Sequence, residues 1–337
     1  MIHRTIPTWQ AKSWQEELSQ LITDPKTLFE VLELPESMLD AAYQAHKAFP
    51  IRTTFSYTQN INKGDIHDPL LRQILPIGEE LEHVEGYSND PVGEEHTTVA
   101  PGVVHKYHGR VLLIGATQCA INCRYCFRRA FDYSANNPSR AQWQLSLQYI
   151  ENDPSIEEVI LSGGDPLAQS DAQISWLISQ LDQISHLRRL RIHTRLPVVL
   201  PSRITQNFCR ILNNSRLEKV LVIHCNHPRE LSSQVSESLE KLAQEGVTLL
   251  NQSVLLKGVN DNTDTLKKLS KELFRYRVLP YYLHLLDKVH GAAHFSVSTN
   301  TATEVYQNLI AELPGYLVPK LVQEIAGEKS KTLITLT

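Results

Sequence analysis

The sequence predicts an α/β protein: a partial (β/α)6 barrel carrying an N-terminal helical appendage. Short apolar runs recur roughly every thirty residues from Val111 onward, and amphipathic stretches of helical period separate them. Polar, chemically capable residues stand at the end of one run after another.

From Ser13 to about Pro50 the apolar residues keep a helical spacing, and Asp24-Pro25 sets a capping carboxylate before a proline suited to a helix's first turn. Residues 51–100 are rich in Asp, Asn, Gly, Pro and Thr, as in KGDIHDP and YSNDPVGEEH. That composition predicts an irregular connection wrapping the surface, its charges in solvent. The expected organisation is 1–100 as helical region and wrapping connection, 101–315 as barrel, and 316–337 as a C-terminal segment.

Within the barrel, VLLIGAT from Val111, EEVILSG from Glu157, LRRLRIHT from Leu187, KVLVIHC from Lys219, VTLLNQSVLL from Val247 and VLPYYLHLL from Val278 read as buried parallel strands. AQWQLSLQYIEN and NTDTLKKLSKELF read as crossover helices. A doubly wound sheet has the same rhythm and stays open as an alternative. Parallel barrels collect their chemistry in the loops after the strands. Three cysteines follow the first run, Ser162-Gly163-Gly164-Asp165 the second, His193-Thr194-Arg195 the third and His224-Cys225-Asn226-His227 the fourth. Asn251-Gln252 lies within the fifth, and Asp287 follows the sixth. Any one of these could be a cap or a turn; six together predict a common mouth.

With 337 residues, 42% of them apolar, the chain can bury a substantial core. A net charge of -4 supplies no broad positive field, which argues against nucleic acid or an anionic membrane as partner and for small molecules. The opening MIHRTIPTWQAKSW lacks a long apolar stretch and a small-residue cleavage site. No stretch reaches the roughly 18 apolar residues of a membrane span, so a cytoplasmic protein is expected. Five cysteines, three within eight residues, fit a metal site in reducing surroundings better than a disulfide framework.

Cys119, Cys123 and Cys126 offer three thiolates from one loop. Structural zinc normally takes four protein ligands, whereas a 4Fe-4S cluster takes one cysteine per iron, so three leave one iron open. Zinc completed by His224, Cys225 or His227 remains the alternative. The pattern C-x3-C-x2-C, with the aromatic Tyr125 before the last cysteine, resembles the radical S-adenosylmethionine superfamily. The resemblance implies a 4Fe-4S cluster whose open iron takes S-adenosyl-L-methionine, with Tyr125, Ser162, Gly163, Gly164, Asp165 and His193 facing that molecule.

Further motifs, HKYHGRVLL, CRYCFRR, LSGGDPL, RIHTRLPVVLPSRIT, LLNQSVLLKGVNDN, PYYLHLLD, GYLVPK and GEKSKT, resemble the lysine 2,3-aminomutase family over 66–332. The short chain and N-terminal helices look like the branch that serves elongation factor P modification. The resemblance implies an isomerase that uses the cluster, S-adenosyl-L-methionine and pyridoxal 5'-phosphate to turn free L-lysine into (R)-β-lysine. It also implies an electron donor of flavodoxin or ferredoxin type, and a ligase that passes β-lysine to elongation factor P.

By position, Lys331 matches the family's Schiff-base lysine, and Lys106, Arg195 and Gln252 match contacts to the pyridoxal phosphate. Arg128 matches the arginine for the substrate carboxylate. Asp287 and Glu324 match the carboxylate pair for the distant ammonium, with Glu324 in place of an aspartate. Two other readings share the cysteines: a radical enzyme that modifies RNA or protein without pyridoxal phosphate, and a zinc-dependent binding protein.

Overall fold

The computed structural model describes residues 13–94, 97–131 and 139–334, so most of the opening segment read above for a leader lies outside the described residues. Helices α1 (Trp14–Ser19), α2 (Pro25–Leu32) and α3 (Leu39–Ala48) form the N-terminal region. Asp24 caps α2 as its sequence predicts: Oδ2 accepts from the Thr27 amide at 3.0 Å, and Oδ1 accepts from the Tyr43 hydroxyl at 3.1 Å. The connection that follows holds α4 (Phe55–Thr58) and is otherwise turns and single turns of 3-10 helix.

Its charges do not all lie in solvent. Asp68, Glu80 and Glu94 are buried. Each meets arginine at close range: Arg229 at 2.8 Å, Arg124 at 2.6 Å with Arg129 at 2.7 Å, and Arg128 at 2.6 Å. The expectation of a solvated charge run is therefore corrected for these three. A carboxylate leaves water where a cation meets it, and these cations come from distant parts of the chain.

The sheet runs β1 (Thr98–Ala100), β2 (Val103–Tyr107), β3 (Arg110–Ala116), β4 (Glu158–Gly163), β5 (Arg189–Thr194), β6 (Glu218–His224), β7 (Thr248–Val254), β8 (Val278–His284), β9 (Lys320–Gln323) and β10 (Thr332–Leu333), neighbours in that spatial order. Strands β3 to β9 pair in parallel, while β1, β2 and β10 pair antiparallel at the two edges. The order never reverses, so the doubly wound alternative is excluded and the sheet is an open partial barrel. The strand Lys320–Gln323 was not expected; four residues inside GYLVPKLVQEIAG leave no period to read.

Helices α5 (Arg140–Asn152), α6 (Asp171–Leu181), α7 (Leu196–Val199), α8 (Gln206–Asn213), α9 (Ser233–Gln244), α10 (Thr263–Arg275) and α11 (Thr299–Glu312) lie between the parallel strands. All but the short α7 begin at a Ser, Thr or Asn whose side chain accepts a backbone N–H of the first turn: Ser139, Ser170, Thr205, Ser232, Asn262 and Ser298.

Strand residues alternate between two environments. Val111, Leu113, Val159, Leu161, Leu190, Ile192, Leu221, Ile223 and Leu249 join the apolar core under the helices. Their neighbours Leu112, Ile160, Ser162, Arg191, His193, His224 and Gln252 point inward and line a cavity. The barrel thus keeps a polar interior.

Arg124, between the second and third clustered cysteines, joins this barrel to the N-terminal region. Its Nε and Nη2 donate to the two Glu80 oxygens at 2.8 and 2.6 Å, and Nη1 donates to the Phe49 carbonyl at 2.7 Å. Removing one partner of a buried pair leaves the other charge uncompensated. Arg124→Ala is expected to cost about 3–5 kcal/mol of stability, read by urea unfolding of the reduced, cluster-free protein. An unchanged midpoint would show that the pair does not tie the regions together.

Candidate active site

The loops beyond the strands surround one cavity of about 600 Å³. Its wall contains Cys119, Cys123, Tyr125, Cys126 and Arg128 after β3, Ser162, Gly163, Gly164 and Asp165 at the end of β4, and His193 and Arg195 at the end of β5. Gln252 from β7, Asp287 after β8, Glu324 and Lys331 after β9, and Lys106 from β2 complete the set expected from the sequence.

Around the cysteines, the local geometry depends on close backbone approach. A Cβ on Gly164 would lie 2.6 Å from the Gln118 carbonyl oxygen and 2.7 Å from the Gln118 nitrogen. Gly163, at φ +114°, likewise leaves no room beside Ala116. The two glycines let the second loop lie directly on the segment that enters Cys119. Asp165 then holds the third loop: its carboxylate accepts from the Leu167, Arg195 and Leu196 amides and the Thr194 hydroxyl, all within 3.2 Å.

Burial pushes the Cys119 thiol well above its usual range, and Asp165 and the other two cysteines push it further. Cys126 rises to about 11, by burial and then by Cys123. Three thiols brought together, two of them resisting ionisation through burial first and then through their neighbours, suit a metal cation among them, so the donor set fits an iron-sulfur cluster. The His193 imidazole is driven well below its usual value by burial and nearby cations. Its Nε2 is buried in the cavity wall without a partner among the described residues. That nitrogen suits a polar molecule held beside the cysteines.

The groups once considered for zinc are engaged elsewhere. His224 stacks on Tyr125, with centroids 5.6 Å apart and Nε2 3.0 Å from the phenol oxygen. Cys225 is fully buried, and the His227 ring accepts from the Arg229 amide. Asn251 faces away from the cavity and braces the Cys225 backbone at 3.0 and 3.1 Å, while its neighbour Gln252 lines the cavity.

Across the chamber, charged groups are paired internally. Arg128 holds Glu94 through two N–H bonds of 2.7 and 2.6 Å and donates to Ser162 Oγ at 3.1 Å. Lys331 Nζ donates to Glu324 Oε2 at 2.6 Å, Tyr107 donates to Oε1 at 2.6 Å, and Lys106 Nζ lies 3.5 Å from Oε1 while donating to the Val92 carbonyl. Lys331 Nζ also sits 5.9 Å from the Tyr282 ring centre. The Glu324 carboxyl is lowered: burial opposes ionisation, and Lys331 and the hydrogen bonds outweigh it. Asp287 is raised to about 7 by its enclosure, an effect that Lys331 only partly offsets.

Arg195 departs most from expectation. Both terminal nitrogens are committed within the protein, to Cys123 Sγ and the Tyr125 hydroxyl on one side and to Gln73 and Glu230 on the other. Only Nε is left without a partner among the described residues.

The 4Fe-4S single cluster domain model matches residues 107–189, which hold all three cysteines and the Gly-Gly turn. An L-lysine 2,3-aminomutase of Haemophilus influenzae is 48% identical over 324 residues, covering 96% of each chain. That of Escherichia coli K12 is 46% identical over 333 residues, 98% of this chain and 97% of the other. That of Clostridium subterminale is 33% identical over 320 residues, 95% and 77% of the two chains.

The chain belongs to the L-lysine 2,3-aminomutase family. It is accordingly an isomerase. Among the cavity residues that sequence reasoning missed are Glu94, lost in an irregular stretch, and Tyr107, Arg110, Arg191, Tyr282 and His284, hidden in strand alternation. Spacing two apart on strands facing the same mouth is the signal that would have found Arg110 with Leu112.

The contact at Gly164 yields a test. Gly164→Ala forces the second loop off the Gln118 backbone and is expected to remove most cluster loading, measured as iron per chain after anaerobic reconstitution. Full loading would mean that the close approach is dispensable.

Proposed function

We propose that this aminomutase converts free L-lysine to (R)-β-lysine in the cytoplasm, using a 4Fe-4S cluster, S-adenosyl-L-methionine and pyridoxal 5'-phosphate. The observation that carries this is a single cavity holding three thiols, a lysine amine, an arginine and two carboxylates. When bound, the cluster supplies the electron that breaks the sulfonium bond, and pyridoxal phosphate supplies the conjugated system across which nitrogen moves.

The chain's own residues supply position and charge. Cys119, Cys123 and Cys126 hold three irons. Tyr125, Ser162, Gly163, Gly164 and His193 line the cavity with those cysteines and would hold S-adenosyl-L-methionine, with Asp165 bracing the loops that carry them. Lys331 carries pyridoxal phosphate, and Gln252 with Lys106 faces the phosphate. Arg110, which lines the same chamber, adds a cation there. Arg195 is better matched to the cysteines than to the phosphate, because its terminal nitrogens are already taken.

Glu324 Oε2 is the atom placed to take the proton that Lys331 must lose before it can attack an aldehyde, since an ordinary lysine amine is neutral only about once in 2,500 molecules at pH 7. Once that proton has passed from Glu324 to water, the regained carboxylate is free to pair with the ammonium of the substrate, alongside Asp287. Arg128 receives the substrate carboxylate in the fork that Glu94 now fills, a charge-assisted pairing of the same geometry. Resemblance in the N-terminal helices supports a role in supplying a ligase that places β-lysine on elongation factor P, with a flavodoxin or ferredoxin as electron donor. No helix among the described residues is long and apolar enough to cross a membrane.

Anaerobically reconstituted protein given lysine, reductant, S-adenosyl-L-methionine and pyridoxal phosphate is expected to release β-lysine, resolved by chromatography. Lys331→Ala should lose both product and the absorbance band of lysine-linked pyridoxal phosphate. A brown protein lacking that band in the parent would sink the reading.

A pH profile tests the substrate site separately. Asp287, raised to about 7, is neutral below that pH and cannot hold an ammonium. The kcat/KM for lysine should fall up to tenfold per unit on the acid side of about pH 7, and Asp287→Asn should remove this limb together with most of the activity. A flat profile down to pH 5 would place the ammonium elsewhere.

A further inference from the structure

Beside Cys123, a buried polar network surrounds one cation. The Arg195 backbone is fixed first: its amide donates to Asp165 Oδ2 at 2.7 Å. Its side chain is 6% exposed. Nη1 lies 2.6 Å from Cys123 Sγ and 2.7 Å from the Tyr125 hydroxyl oxygen, and Nη2 donates to Gln73 Oε1 at 2.8 Å and Glu230 Oε2 at 2.9 Å. Glu230 is fully buried and is itself held by the Asn226 and His227 amides and by Gln73 Nε2. The guanidinium is therefore locked at both ends, one on a cysteine sulfur and one on a carboxylate.

We propose that Arg195 is a positioning residue of the cluster: its guanidinium, anchored by Glu230, donates to the Cys123 sulfur and raises the cluster's reduction potential. The physical reason is charge. Reduction adds an electron to a group already carrying thiolates in a dry site, and a fixed positive donor on one sulfur stabilises the reduced form more than the oxidised one. An arginine keeps its proton under all working conditions, so the effect is permanent. Glu230 works in the opposite sense at longer range, holding the arginine in place while cancelling part of its charge.

The inference rests on the cluster assignment in the proposed function and on nothing about lysine or pyridoxal phosphate. Its test is a potentiometric titration of the reconstituted, full-length protein, followed by electron paramagnetic resonance of the one-electron-reduced cluster.

Arg195→Gln should lower the midpoint potential, with the oxidised-to-reduced ratio at a fixed potential shifting about tenfold, equivalent to 59 mV for a one-electron couple. Glu230→Gln should raise it, and Arg195→Lys should fall between parent and Arg195→Gln. A purely structural role would move the first two variants together or leave both unchanged, and either result overturns the proposal. Should Arg195→Gln fail to fold, the sign of the Glu230→Gln shift decides alone. A parent that holds no cluster would overturn the cluster assignment and the proposal with it; a normal cluster with unshifted potentials in the variants overturns only the proposal.

Discussion

The carboxylate of Asp165 is the interaction on which the mouth of the barrel depends. Three of the four bonds it accepts, from the Thr194 hydroxyl and the Arg195 and Leu196 amides, fix the loop after β5 to the loop after β4, the fourth coming from Leu167 in its own loop, while its backbone N–H donates to the Gln118 carbonyl at 2.9 Å in the segment entering the cysteines. Three loops from three strands are thereby held in one register. Burial raises the Asp165 carboxyl despite these donors, the cost of burying an acid that has no ion pair among the described residues. Gly163 and Gly164 are the steric half of the same joint, because any side chain there would separate the loops that the aspartate draws together.

A second constraint governs the far side of the cavity. Buried ions need counter-ions, and two of the groups suited to a charged substrate take one from the chain itself, Glu94 on Arg128 and Lys331 on Glu324, while Asp287, without an ion pair among the described residues, is pushed toward its neutral form instead. The arrangement resembles a zwitterionic substrate in the disposition of its charges. On the proposed reading, loading the site exchanges one set of ion pairs for another. The extra methylene of Glu324 relative to aspartate has a physical correlate here, since its two oxygens reach Lys331 and Tyr107 at once.

Much of the barrel was legible because parallel strands buried on both sides are nearly continuous apolar runs, whereas the capping residues Ser139, Ser170, Thr205, Ser232, Asn262 and Ser298 went unread in the sequence. The three clustered cysteines and most of the residues at the ends of the runs converge on one cavity, but Cys225, Asn226, His227 and Asn251 do not line it. What escaped is what depends on distant partners. Glu94 reads as a solvated charge until Arg128, thirty-four positions later, is folded against it. Glu80 does so until Arg124 and Arg129 arrive. The strand Lys320–Gln323 escaped for another reason: it exists because β8 offers it an edge, not because four residues have a pattern.

Arg195 shows why a residue's position in a motif and its work in the fold can separate. Its place after β5 aims it at the mouth, but a guanidinium is long enough to turn back, and the strongest partners within reach lie beside Cys123. Tyr125 belongs to the same network: its ring stacks on His224 and meets Phe295 edge-on at 5.9 Å, while its hydroxyl receives Arg195 and Asn226. The aromatic residue before the last cysteine therefore connects the cluster loop to the interior. Since Glu230 is buried, it needs Arg195 as a counter-ion; since Arg195 is buried, it needs acceptors on all sides, and Cys123 is one of them. The sulfur's electrostatic environment is thus set by the requirement that this network leave few polar atoms unpaired.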